Sequence, residues 1–528
     1  MKTIILSFAK SMCVVLFTLF WYPTVSAEYP KSLWYDDDDN WVTVDGFVYK
    51  INYDNSSEDY PPIITATLIC RDTYYDSITG DYPYCPIQYD EWNTDSILYL
   101  PTMIGNCIVT AIDGGFRGFK DIKTVSIPPT VTSIRRGTFA NSSLETIIFE
   151  YDGNYNSTPP ISFGKYDPED VYDYPYLLNQ GEFMNCERLT TVRFHRPLAN
   201  IPSFMFYNCP KLENIIFDDF FFNTDEMIVD TIGNGAFEHC NNLKTLKIPN
   251  GITTSIGDYA FAECHQLEEI SINPSLHSIG KAAFCNCRTI SSIDIPDAVT
   301  EIKDYTFYDC QNLTNLNIKN VTTFGDHALA GCNKLPYFDL TKAQSIGEAA
   351  FMGGEVFCSI WIHPDRPNDQ GIAYREEQIS INLGSIRKII LGEAITELNE
   401  WTFGGHIPDT IICMAPVPPR YTCTSAYDYT FSPEAYQTSV LCVPQIVVMD
   451  YREAYGWNRF THIDGITILG NGDVNGDGRI NISDVVSLID KILGGQNDYN
   501  SVNADVNGDG RLTISDVTSL IEMLLHLN

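Results

Sequence analysis

A phenylalanine returns at near-constant spacing through the middle of the chain, and this repeat constrains the fold more than any other feature. Phe237, Phe261, Phe284, Phe307, Leu329 and Phe351 follow one another at intervals of 22 to 24 residues, and Phe139, Phe206 and Phe403 belong to the same series. Five residues before these nine anchors stand Ile134, Ile201, Ile232, Ile256, Ile279, Ile302, Phe324, Ile346 and Leu398. A period of this length is that of a leucine-rich repeat.

Downstream of the anchors come a cysteine and a short alternating apolar pattern. Cys240 leads to Leu243, Leu246 and Ile248, and Cys264 leads to Leu267, Ile270 and Ile272. Alternation puts one face of each strand into a core. Pro249 and Pro296 stop the strand, a turn with Gly257 or Gly280 follows, and a short helical or 3₁₀ piece is expected to end in the anchor. One such unit cannot bury its own apolar face. Stacking units at a strand spacing of about 4.8 Å builds a common core and a parallel β ladder. Roughly eleven to twelve units are expected, with degenerate ones at Phe116 and near Ile360.

The phrase Ile256-Gly257-Asp258-Tyr259-Ala260-Phe261-Ala262-Glu263-Cys264-His265-Gln266-Leu267 resembles that of the BspA-like (LRR_5) leucine-rich repeat family. The resemblance covers about 106 to 404, with Ser142 in place of the cysteine in one unit and Phe119 in that place near the start. It implies an α/β-type repeat, a right-handed leucine-rich-repeat solenoid, and a secreted or cell-surface binding protein, several members of the family being adhesins.

Cys186, Cys209, Cys240, Cys264, Cys287, Cys310 and Cys332 each follow an anchor by three residues. A row along an axis suits buried free thiols better than disulfides, and a metal site would need ligands converging on one point. Cys70 with Cys85, or pairs among Cys413, Cys423 and Cys442, are the better disulfide candidates.

Residues 1–27 read as a signal peptide, with Lys2, an apolar run from Met12 to Trp21, and Val25-Ser26-Ala27 before the cut. No later segment has the unbroken apolar run of a membrane span. The formal charge of −35 becomes −37 when Lys2 and Lys10 leave, which argues against nucleic acid and anionic membranes as partners. Residues 28–105 suit a β-rich N-terminal cap, with a loose solvated run at Asp36 to Asp39. Residues 106–404 form the solenoid and 405–468 a C-terminal cap, the latter resembling closing segments found after such repeats. Insertions fall between Phe139 and Phe183 and between Phe206 and Phe237, the second carrying Phe220, Phe221 and Phe222. Such loops often form a ligand rim, here aided by Ile148 and Ile216, or they pack over the repeats as a plug.

From residue 469 to 528 the composition changes. Asp473, Asn475, Asp477, Asn481 and Asp484 stand at positions 1, 3, 5, 9 and 12 of an acidic loop, and Asp505, Asn507, Asp509, Thr513 and Asp516 repeat the set 32 residues later. Arg479 and Arg511 at position 7 would give backbone carbonyls, and Gly478 and Gly510 stand where the chain turns. Hard oxygens in this number suit Ca²⁺, two ions in all. An apolar-periodic helix follows each loop: Val485, Leu488, Ile489, Ile492 and Leu493, then Val517, Leu520, Ile521, Leu524 and Leu525. The pair resembles a type I dockerin, which implies a small all-α calcium-binding domain docking a cohesin module. The resemblance puts partner-reading residues at Ile482, Ser483, Ile514 and Ser515, with near-symmetry allowing two docking orientations.

No Gly-x-Ser-x-Gly, His-Glu-x-x-His or phosphate-binding loop occurs. The expectation is a non-catalytic recognition or adhesion protein whose solenoid binds a protein or glycan. The alternative is a component of a polysaccharide-degrading assembly, through carbohydrate binding or an unrecognised glycoside hydrolysis.

Overall fold

In a computed structural model the chain is described over the strands of 41–70, over most of 97–151, 181–218, 231–354, 386–466 and 472–526, and over some short pieces between. The signal segment, the Asp36 to Asp39 run, Cys85, Cys423, Phe220 to Phe222 and most of the first insertion lie outside the described residues.

The repeats stack into a parallel β-solenoid of about 12 turns. The strand after each cysteine position forms one ladder: Ile97–Tyr99, Thr124–Ile127, Thr146–Phe149, Thr191–Phe194 and Asn214–Phe217 pair in parallel, in that spatial order. Val125, Ile147, Val192 and Ile215 share one rung, and Ile127, Phe149, Phe194 and Phe217 the rung two residues on. The residues five before each anchor form a second parallel ladder, Ile232 with Ile256 and Ile279, then Ile302 with Phe324 and Ile346. Two ladders close the turn on two sides, and the apolar side chains between them are buried.

The third side is not the helical or 3₁₀ piece that the repeat suggests. It is an irregular turn in which the residues two before and two after the anchor sit in the left-handed region. Tyr259, Ala282, Tyr305, His327, Ala349 and Trp401 do so before, and Asn208, His239, Glu263, Asn286 and Asp309 after, with φ between 50° and 61°. The reason is inter-turn bonding. The anchor N–H of each turn donates to the carbonyl just before the next anchor, as Phe261 to Ala283, Phe284 to Thr306 and Phe307 to Ala328, each at 2.8–2.9 Å. A helix would spend those groups within its own turn. The left-handed residues aim them along the axis instead.

Anchor rings stack face to face. Phe116, Phe139, Phe183, Phe206, Phe237, Phe261, Phe284 and Phe307 run with centroids 5.1 to 5.5 Å apart, and Phe351, Phe403 and Phe431 resume the column after Leu329. This corrects the unit expected near Ile360. Phe351 donates to Thr402 and Phe403 to Thr430, so the turns pass straight from Phe351 to Phe403 to Phe431. Cys358–Ile362 pairs antiparallel with Gln370–Tyr374 as a hairpin in the excursion between two turns.

The cysteine row is a row of buried free thiols. Cys264, Cys287, Cys310 and Cys332 each donate to the carbonyl of the preceding anchor, Phe237, Phe261, Phe284 and Phe307, at 3.1–3.2 Å. Ser142 takes the same row and lies 3.3 Å from Cys186 Sγ. Cys413 and Cys442 are also free, against the expected pairing. Cys442 is level with Ile412, one residue out of step with Cys413, so the two thiols face opposite sides of the sheet. Cys413 lies 3.1 Å from the Tyr451 hydroxyl in the core.

On the side of the first ladder Tyr337–Leu340, Lys388–Leu391, Thr410–Cys413, Val440–Pro444 and His462–Ile466 form a further five-stranded parallel sheet that runs past Phe403. Helices α1 (Pro433–Thr438) and α2 (Val448–Glu453) pack beside it, and Trp457 is fully buried with its indole N–H on the Pro419 carbonyl at 2.7 Å. At the other end Trp41–Val44, Phe47–Asp54 and Ile63–Cys70 pair antiparallel, and Ile63–Cys70 joins the solenoid in parallel with Cys107–Ile112. A separate small core lies in the tail, made by Val474, Val485, Leu488, Ala504, Val506, Val517 and Leu520. No helix among the described residues is long and apolar enough to cross a membrane.

Candidate functional site

Each acidic loop of the tail is built from short side chains that accept the backbone N–H groups of their own loop. In the first, Asp477 N–H donates to Asn475 Oδ1 at 3.0 Å and to Asp473 Oδ1 at 3.2 Å, and Arg479 N–H donates to Asp477 Oδ1 at 2.9 Å. Asp484, fully buried, reaches back over the loop. Its Oδ1 accepts from Val474 N–H and its Oδ2 from Asn481 N–H, at 2.8 and 2.9 Å. The second loop repeats the pattern: Asp509 N–H to Asn507 Oδ1 and Asp505 Oδ1, Arg511 N–H to Asp509 Oδ1, and Thr513 N–H to the buried Asp516. Gly510 N–H adds a bond to Asp505 Oδ2 at 2.8 Å.

Glycine is required where the loops fold back. Gly510 at position 6 has φ +76°, and Gly476 and Gly508 at position 4 have φ +72° and +70°, a second left-handed position that the loop alignment does not single out. Gly478 lies outside the described residues.

The donor set is oxygen throughout, which fits a hard cation such as Ca²⁺. The Asp505 carboxyl is held above the usual carboxylate range, first by burial and further by the Asp516 and Asp509 charges beside it. A bound cation relieves that repulsion. Among the described residues no group of three or more His, Cys, Asp or Glu side chains stands closed around a single point. Each loop is a hydrogen-bonded scaffold that carries its oxygen atoms on short side chains.

Loop ends pass directly into helices α3 (Ile482–Ile492) and α5 (Ile514–His526), with the short α4 (Ser501–Ala504) before the second loop. Asn481 caps α3, accepting from Ser483 N–H while Asp484 accepts from Asn481 N–H. Both helices are two-faced. Val485 and Leu488 on α3, with Val517 and Leu520 on α5, form the tail core, and Ile492 and Leu524 pack against it half-buried. On the other face Ile482, Val486, Ile489 and Leu493 form a stripe at spacings of four, three and four residues, Ile482 being 69% and Leu493 80% exposed. Ile514, Ile521 and Leu525 stand at the matching places on α5 and are exposed as well. The apolar periodicity does not separate these two faces. An excess of apolar residues over what one helix stripe can bury is the signal that could have found the outer one. Ile482, Ser483, Ile514 and Ser515 all lie exposed at the loop end of the stripes.

On the solenoid, Ile148 and Ile216 lie on the outer face of the first ladder, on either side of Arg193, and Tyr99 is exposed on its edge strand. Beyond the same strands His195 Nδ1 and Asp218 Oδ1 stand 2.8 Å apart.

Residues 103–166, 175–228 and 230–356 match the family model of the BspA type leucine-rich repeat region, in six copies. Residues 471–525 match that of the dockerin type I domain. Solved structures similar to the chain include a leucine-rich cell surface protein of Faecalibacterium prausnitzii A2-165, at 17% identity over 74% of this chain and 97% of that one, with a TM-score of 0.34. The pneumococcal vaccine antigen PcpA is 14% identical over 81% of this chain and 99% of that one, with a TM-score of 0.28. The leucine-rich repeat protein of T. pallidum is 18% identical over 54% and 88%, with a TM-score of 0.24. No curated protein matches.

Proposed function

The chain carries BspA-type leucine-rich repeats and a type I dockerin domain, and from that premise we propose that it is an exported, non-catalytic recognition protein. Its solenoid binds a protein or glycan at the cell surface or outside the cell. Its tail, ordered by one calcium ion in each loop, docks to a cohesin module on another protein. In the first loop Asp473, Asn475, Asp477, Asn481, Asp484 and the Arg479 carbonyl hold the ion. In the second Asp505, Asn507, Asp509, Thr513, Asp516 and the Arg511 carbonyl do so. Calcium supplies charge neutralisation and order there, and the residues do the recognition.

The observation that carries this reading is the pair of exposed apolar stripes, Ile482 to Leu493 and Ile514 to Leu525, each starting beside its acidic loop. Seven large apolar side chains left outside so small a core favour a covering partner. The near-identity of the two halves supports docking through either. Arg193 between Ile148 and Ile216, with Tyr99 at the edge, supports a ligand face on the first ladder.

The test is retention of the full chain on immobilised cohesin modules in calcium and in chelator. Retention in calcium, lost in chelator and lost in a Val486→Asp, Ile489→Asp, Ile521→Asp variant, is expected. Retention that chelator leaves unchanged, or no retention on any module, overturns the docking reading.

A further inference from the structure

One contact occurs twice in the tail, once in each loop. Asn475 Nδ2 donates to Ser483 Oγ at 3.3 Å, and Asn507 Nδ2 donates to Ser515 Oγ at 3.0 Å. The same two asparagines use their other amide atom inside the loop, Asn475 Oδ1 accepting from Asp477 N–H and Asn507 Oδ1 from Asp509 N–H. Each therefore spans the distance between the oxygen-lined loop and the exposed start of the helix. Its carbonyl oxygen faces the loop and its amine faces the serine.

A hydroxyl that accepts a hydrogen bond still has its own proton to place. With Asn475 Nδ2 donating into Ser483 Oγ, that proton is turned away from the amide. The backbone N–H of Ser483 is already spent on Asn481 Oδ1 at 2.8 Å, and that of Ser515 lies 3.2 Å from Thr513 Oγ1. Both serines are exposed, so that proton is available to an acceptor outside the chain.

We infer that Asn475 and Asn507 are positioning residues that set the hydrogen-bond polarity of the partner-facing serines. Each fixes its serine as a donor, for an acceptor oxygen, a carbonyl or a carboxylate, on the docked protein. The inference rests on the docking reading of the tail. It explains why an amide, and not a carboxylate, suits position 3 in both loops. Aspartate has the same size and would serve a cation at least as well. It has no N–H. Beside it the serine would donate inward to the carboxylate, a charge-assisted bond, and show the partner only lone pairs. One atom's exchange reverses what the surface reads.

The experiment uses the full chain with both halves changed together, since either half alone could still dock. In Asn475→Asp, Asn507→Asp, compared at a calcium concentration that calorimetry shows to saturate native chain and variant alike, docking to immobilised cohesin modules weakens roughly tenfold, the loss of one well-placed hydrogen bond. Ser483→Ala, Ser515→Ala weakens docking to a similar degree, and combining all four changes adds nothing further. Ser483→Thr, Ser515→Thr keeps the hydroxyl and keeps docking. Undiminished docking by the aspartate variant, or losses that simply add, overturns the inference. Docking is not needed for a second readout in calcium. With ¹⁵N-labelled asparagine, the Nδ2 resonances of Asn475 and Asn507 shift when the serines become alanine. If the native chain docks to no module yet these resonances shift, the docking reading falls and the polarity contact stands. If they do not shift, the inference falls whatever docks.

Discussion

Gly280 lies so close to the preceding turn that a Cβ on it would stand 2.3 Å from the Asp258 backbone nitrogen. The relationship repeats along the axis, Gly257 against Asn234, Gly325 against Asp304 and Gly347 against Asp326, each at 2.5–2.6 Å from the backbone nitrogen. The obstacle is backbone, which cannot rotate away. Gly280→Ala should therefore cost about 1–3 kcal/mol through forced separation of two turns, read as a lower denaturation midpoint. Lys303 holds the equivalent place one turn on, and Lys303→Ala should change little.

The left-handed positions predict a different ranking. Asn208 has φ 52° and donates its Nδ2 to Asn185 Oδ1 at 2.9 Å. Asn208→Ala loses the bond and the short polar side chain that makes the left-handed region tolerable to asparagine, at a cost of about 1–2 kcal/mol. Asn208→Gly loses only the bond and should be the milder change, the reverse of the order in a helix. Denaturant melts of the two variants check it.

The thiols in the middle of the row, Cys240, Cys264 and Cys287, should be inert. Burial pushes the Cys240, Cys264 and Cys287 thiols up, so no thiolate forms near neutral pH. Iodoacetamide added to native protein should leave them unmodified for hours. After unfolding without reductant, mass spectrometry should find every one of them alkylated. A cysteine of the row that needs reductant before it reacts would contradict the free-thiol assignment.

His406 ties stability to pH. It is buried against Phe338 and Gly353, and burial lowers its pKa from 6.5 to about 4. The unfolded chain then binds a proton that the folded chain refuses between those two values. The stability is fully present above pH 6.5 and is lost as pH falls towards 4, by about 3 kcal/mol at most. In urea melts from pH 7 to 4.5, His406→Gln should lose less stability than the native chain. Equal slopes would contradict this.

What the sequence makes legible follows from which groups carry the information. The Phe column, the aliphatic residues five before it and the cysteine row all lie in the core, where burial writes a strict pattern, and the fold follows from them. The turn conformation does not follow. Tyr259 and Tyr305 are poor left-handed residues by themselves, and their N–H groups bond to the next turn at Lys281 and Asp326. Phe431 is missed because it falls in the segment read as a cap, although Tyr429-Thr430-Phe431 repeats the wording of Tyr305-Thr306-Phe307 and Trp401-Thr402-Phe403. The apparent unit at Ile360 misleads because a hairpin strand and a solenoid strand alternate alike. In the tail the loop residues are readable from spacing. The exposed stripes are not, since periodicity reports an apolar face without saying what it faces.

Calcium stoichiometry on the full chain tests the central claim most directly. Calorimetry should count two ions for the native chain, one for Asp473→Ala, Asp477→Ala, and one for Asp505→Ala, Asp509→Ala, with tail helicity rising as the ions bind. A native chain that binds no calcium, or a count that both loop variants leave untouched, would contradict it.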